Sequence, residues 1–146
     1  MITEEEYLKS RIDDQIDWYN RKSGINKRNN LWSKGLVILF SGLISVLSGF
    51  PFDDNHTLKS ILLGGLGALI AILSGLANLL KFSEKWVQYR TTAEALTQEK
   101  MLFGTLTGPY DEQPEPFKTL VERTESLISK EYSSWSQYIN KDKDNK

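Results

Sequence analysis

The chain of 146 residues is short enough for one domain, and its formal net charge of −1 gives it no bulk attraction for nucleic acid. Having no cysteine, it has no disulfide, thiolate metal site or cysteine nucleophile, and its single histidine, His56, has no second histidine or cysteine to share a metal with. The whole-chain hydropathy conceals the main feature: Gly35–Phe52 and Ser60–Leu80 contain no charged side chain, whereas the flanking sequence is rich in Glu, Lys, Arg, Asp and Gln.

Residues 1–30 predict a cytosolic helix. The start is acidic, so a cleavable signal peptide is not expected and the first apolar run becomes the targeting element. Thr3 and Glu6 have capping-box spacing, and Ile2 with Tyr7 has the spacing of a hydrophobic staple. Leu8, Ile12, Ile16 and Tyr19 then form an apolar stripe at helical spacing. Gly24 and Asn29-Asn30 are expected to loosen this helix before the membrane. The nearby basic residues either set topology or touch anionic headgroups.

A first transmembrane span is read over 33–52 and a second over 60–80. The two uncharged runs reach about 27 and 31 Å as helices, against a hydrocarbon core of about 30 Å. Burying both in a soluble hairpin would require apolar partners on every side, and the remaining segments are too polar for that. Pro51 closes the first span, and Asp53-Asp54-Asn55 is turn chemistry within the loop 53–59, which makes the spans antiparallel neighbours. Arg21, Lys22, Lys27, Arg28 and Lys34 precede the first span, and Lys81, Lys85 and Arg90 follow the second. The loop has only Lys59 against Asp53 and Asp54. The positive-inside bias therefore predicts a multi-pass membrane protein with both termini cytoplasmic and the loop extracytoplasmic.

The second span is expected to continue as one helix through a cytosolic extension, 81–103, which contains no proline or glycine. Phe82, Trp86, Tyr89, Ala93, Leu96 and Phe103 form its apolar side, with Lys100 in the polar slot. Gly104, Gly108-Pro109, Pro114 and Pro116 break the helix in a loop, 104–116. A C-terminal helix follows over 117–140, with Phe117, Leu120, Val121, Leu127, Ile128, Tyr132, Trp135 and Ile139 on one side, then a disordered tail, 141–146. The expected fold is an all-α membrane protein: an antiparallel two-span hairpin with a cytosolic bundle of the N-terminal helix, the extension and the C-terminal helix.

Small residues allow close helix approach in lipid. Gly64, Gly67, Ala68, Ala71 and Gly75 in the second span, and Gly35, Gly42 and Gly49 in the first, exceed the needs of one hairpin contact and point to a homo-oligomer. Ser41, Ser45 and Ser48 share a face of the first span. Either they line a pore, with Asn78 at its inner end and Asp53 and Asp54 as an outer acidic ring favouring inorganic cations, or their hydroxyls bond their own helix. No charge lies within either run, which argues against a proton pump or ion-coupled carrier. No catalytic set, phosphate-binding loop or metal motif is present, so no enzyme activity, catalytic residue, cofactor or metal is expected.

The stretch K-F-S-E-K-W-V-Q-Y-R-T-T-A-E-A-L-T-Q-E-K, Lys81–Lys100, resembles the most characteristic segment of the SLATT superfamily. Asp14–Ser23 and Leu120–Trp135 are similar to its flanking segments. The matching positions are Trp18, Tyr19, Arg21, Trp86, Tyr89, Arg90, Glu94, Ala95, Leu96 and Glu99. The resemblance implies a two-span bacterial membrane effector, proposed to form pores and associated with nucleotide-linked defence systems. It supplies no catalytic residue. The matches read physically as packing aromatics and an Arg90–Glu94 pair at i,i+4, or as contacts to a ligand or partner. No fused sensor is seen in the sequence, so the expected trigger is a separate cytosolic sensor protein, a nucleotide or the state of the bilayer. The expected function is an oligomeric pore or ion channel. The alternative is a non-conducting anchor whose cytosolic bundle recruits a partner.

Overall fold

The computed structural model describes residues 2–49 and 56–144, with side chains described over 2–49 and 56–130. The described residues are helical almost throughout: α1 (Glu4–Tyr7), a π-helical stretch (Leu8–Asp13), α2 (Asp14–Gly49), α3 (His56–Leu80), α4 (Phe82–Gly104), a 3-10 turn (Gly108–Tyr110) and α5 (Pro116–Asp144). Two compact units result, one of residues 24–86 and one of residues 1–23 with 87–146.

In the unit of residues 24–86, α2 and α3 run antiparallel. At one end the Lys59 ammonium donates to the Ser48 carbonyl at 3.1 Å, and at the other Lys27 lies 5.7 Å from the centre of the Trp86 ring. Both helices are long and apolar enough to cross a membrane, and none of the most apolar 18-residue window of either is buried within the chain. A soluble core helix would be covered, so this exposure is what a lipid-facing hairpin requires.

Two sequence expectations fail in this unit. Gly24 and Asn29-Asn30 do not loosen the helix, because α2 is unbroken from Asp14 to Gly49. One glycine costs a helix only about 1 kcal/mol, which the flanking turns absorb. Conversely, the second apolar run does not continue as a single helix. Lys81 separates α3 from α4 with φ of +49°, in the left-handed region, although its amide still donates to Ala77 and its carbonyl accepts from Lys85. No glycine or proline marks this break, which explains why residue pattern did not reveal it.

The other unit holds the core, in two clusters. Tyr7, Ile12, Phe103, Tyr110 and Leu120 form one, with Leu8 and Phe117 packed against it; Tyr19, Ala93 and Leu96 form the other, with Tyr89, Leu127 and Ile128 around them. The predicted stripes of the N-terminal, α4 and α5 segments thus meet in one helical bundle. Thr3 caps α1, its hydroxyl accepting from the Glu6 amide at 3.3 Å. Of the two residues with staple spacing, Ile2 is exposed and Tyr7 is buried in the first core cluster. The π-helical stretch accounts for that placement. Residues five apart lie about 140° from one another on an α-helix, and the wider π turn brings Tyr7 and Ile12 to the same side.

The slot expected for Lys100 also differs, for Glu99 is the buried polar residue of α4, while half-exposed Lys100 reaches Asp13 at 2.5 Å. α4 ends at Gly104, Gly108 adopts φ of +63° in the connecting turn, and Pro116 opens α5. α5 runs to Asp144, past the helix end read at 140, and the Lys/Asp/Asn composition there contains no helix breaker.

Candidate functional site

The serine face of α2 is exposed at all three positions. Ser41 donates its hydroxyl proton to the Val37 carbonyl at 2.7 Å, and Ser45 to the Ser41 carbonyl at 3.1 Å. Such back-bonding spends the donor and leaves the oxygen lone pairs facing outward, where they suit a cation better than an anion. Ser48 contributes its carbonyl to Lys59. Asn78, also exposed, lies on the wall of a cleft between α2 and α3 that includes Asn30 and Lys34. Asp53 and Asp54, the candidate acidic ring, lie outside the described residues.

Among the described residues, nothing packs closely on the span glycines. A Cβ added at Gly35, Gly42, Gly49, Gly64, Gly67 or Gly75 would meet no atom within 4 Å. The hairpin therefore does not use these positions for close approach, and Ala68 and Ala71 lie between them on α3.

The positions shared with the family segments divide between the two units. Trp18 packs edge-on against Tyr19 and Tyr89, at centroid distances of 5.0 and 5.8 Å, with the Lys22 ammonium 5.6 Å from the Trp18 ring. Arg90 forms the i,i+4 ion pair with Glu94 and donates to the Asn20 side-chain oxygen at 3.2 Å. Arg21 is exposed, and Trp86 faces Lys27 within residues 24–86.

Glu99 organises the most constrained polar group. Arg123 forks across its two carboxylate oxygens at 2.8 and 2.6 Å, and the Tyr110 hydroxyl donates at 2.5 Å. The Arg123 hydrogen bonds hold the Glu99 carboxyl below its ordinary range, against the opposing effect of burial. Burial first, and then the bond to Glu99, push the Tyr110 hydroxyl well above the usual tyrosine range. A second group joins the N-terminal helix to α5. Arg11 forks onto Glu125 at 2.9 and 2.8 Å and lowers its carboxyl, and the Tyr7 hydroxyl lies 2.9 Å from buried Thr124 and 3.1 Å from Glu125.

Sequence reasoning missed Arg123, Tyr110 and Thr124. Thr124 was accessible, for it stands four residues from both Leu120 and Ile128 on the apolar side of α5. Arg123 and Tyr110 carried no local signal, since they meet Glu99 only through the fold. Chemically, these groups clamp helices together and leave no carboxylate oxygen of Glu99 in want of a donor.

No curated protein matches the chain, and no solved structure does. Residues 14–118 match the family described as a protein of unknown function, DUF4231, from the first residue of α2 to the first turn of α5. That match takes in both candidate spans, the aromatic cluster and Glu99, and the chain belongs to this family, a domain associated with the SLATT superfamily of bacterial membrane effectors.

Proposed function

We propose that the chain is one subunit of an oligomeric pore in the bacterial inner membrane, with both termini in the cytoplasm and the helical bundle forming a cytosolic collar. The observation that carries this reading is the set of span glycines with open space where a Cβ would stand. Without hydrophobic drive between helices in lipid, close approach at small residues is a principal source of association, and here that surface is left for other copies. The flanking basic residues supply the orientation. The back-bonded Ser41 and Ser45 then line the axis with lone pairs, which favours cations.

The test is single-channel current from the purified full chain in planar bilayers, with oligomer size measured on the same sample. Discrete cation-selective openings that shrink or vanish in Ser45→Phe are expected. An ordered oligomer that stays silent across voltages would replace the pore with a non-conducting anchor. Unchanged conductance in bulky variants of Ser41, Ser45 and Ser48 would remove those residues from the lining.

A further inference from the structure

Within residues 24–86, each membrane-length helix has a covered side and a bare one. α2 keeps Leu36, Phe40, Ile44 and Leu47 half-buried, and α3 keeps Leu63, Leu66, Ile70 and Leu73 half-buried, the sides that the hairpin itself covers. Away from them, Trp32, Gly35, Leu39, Gly42, Val46 and Gly49 follow one another along α2 at alternating spacings of three and four, and all are exposed. On α3, Ile61, Gly65, Ala68, Ile72, Gly75 and Leu79 alternate four and three, and are likewise all exposed. At about 100° per residue, the α2 edge stands about 130° from its covered side, and the α3 edge about 180°.

Both edges alternate large side chains with gaps. Trp32, Leu39, Val46, Ile61, Ile72 and Leu79 are each more than half exposed. A Cβ at Gly35, Gly42, Gly49, Gly65 or Gly75 would meet no atom within 4 Å. A repeat of 3.5 residues kept along a whole span is the seam of a helix wound on another helix. Acyl chains fill any outline and do not require it, whereas each glycine costs its helix about 1 kcal/mol against alanine, a loss that close helix approach offsets.

The placement of the edges on opposite sides of the hairpin decides the partner. A two-fold dimer joined through one edge would leave the other bare in both copies. A head-to-tail contact occupies both edges and closes around an axis along the membrane normal. Depth agrees, for Val37 and Leu73 line one cleft, so Leu39 and Ile72 stand at nearly the same level of the hairpin. Copies related by such an axis keep that level.

We propose that the α2 edge of each subunit packs on the α3 edge of a second copy of this chain, so that the hairpins close head-to-tail into a ring. Leu39 of one copy then meets Ile72 of the next. The serine face of α2 lies about 120° from its edge, on a side that neither neighbour covers. The inference rests on the oligomer proposed above, whose contact surfaces it names, and is independent of conduction.

The chain has no cysteine, so introduced thiols report alone. The experiment is oxidative crosslinking, in lipid vesicles, of two differently tagged full-length copies, one carrying Leu39→Cys and the other Ile72→Cys. A disulfide needs Cα atoms within about 7 Å, and in a single chain these positions stand on opposite edges. Mixed-tag dimers are expected at about fivefold the yield of dimers from either variant alone. Gly42→Leu, on the α2 edge, should cut the mixed yield about fivefold, with circular dichroism confirming that each variant is folded. Leu39→Cys copies that link to one another as readily as to Ile72→Cys copies would make the contact two-fold and overturn the proposal. A mixed yield undiminished by Gly42→Leu would overturn close approach at this edge. Amine-reactive crosslinking of the parent chain in the same vesicles separates the two levels. A monomeric parent removes the oligomer together with this inference, and an oligomeric parent whose variants give no mixed dimer removes this inference alone.

Discussion

Glu99 carries a charge into the interior of the helical bundle, where it is tolerated because Arg123 and Tyr110 meet its oxygens with donors. Removing a donor leaves the charge behind. Arg123→Met is therefore expected to lower the stability of the bundle by about 1–3 kcal/mol, and Tyr110→Phe by about 1 kcal/mol, read from thermal unfolding by circular dichroism. The pH response follows from the same contacts. Glu99 and Glu125 both titrate below the ordinary 4.5 when folded, so around and below that value the unfolded chain binds more protons than the folded one. Stability present above 4.5 is then lost as the pH falls through the folded-state values. Melting followed from about pH 6 to about pH 3 should show the loss, and Glu99→Gln should flatten its slope. A melting temperature indifferent to acid in the parent chain would contradict this account. The Arg90–Glu94 pair was legible beforehand because i,i+4 neighbours meet on any helix. The Glu99 cluster was not, since sequence alone does not say which cation a distant helix will present.

Among the elements, the break between α3 and α4 rests on the backbone of Lys81. A left-handed φ costs an ordinary side chain about 1–2 kcal/mol, and a β-branched one more. Lys81→Val is accordingly expected to destabilise the hairpin by the extra cost of its β-branch, and Lys81→Gly to leave it unchanged or slightly more stable. Denaturant unfolding in zwitterionic micelles compares the two. If valine and glycine prove equivalent, the left-handed residue is not what interrupts the helix. The ends of elements marked by chemistry were readable: Thr3 at the start of α1, Gly104 at the end of α4 and Pro116 at the start of α5. Lys81 was not, because a lysine offers no conformational signature.

For the whole molecule, absence of charge over Gly35–Phe52 and Ser60–Leu80 sufficed to recognise two membrane-length helices, and the apolar stripes sufficed to bring the other segments into a bundle. What periodicity did not convey is that the glycines are idle within the single chain. In the proposed oligomer, that idleness separates folding from assembly. Gly67→Leu combined with Gly75→Leu is expected to leave the hairpin folded, since a Cβ at either position meets nothing within 4 Å. The same pair should convert the oligomer to smaller species, seen by light scattering or crosslinking in bilayers. A double variant that assembles like the parent would place both glycines against lipid.

The π-helical stretch at Leu8–Asp13 carries one further consequence, concerning chain length rather than composition. Its wide turn makes room for a residue that an α-helix would not hold, so the segment can lose one. Deleting exposed Lys9 or Ser10 would leave an ordinary helix in which Tyr7 stands four residues before Ile12, about 40° away and still on the same side. Tyr7 would then keep its place beside Thr124, and Thr3 its cap, although the chain had lost a residue. Such a deletion should thus be borne more easily, in thermal melting, than one in the plain α-helix that follows, where everything before it would turn through about 100°.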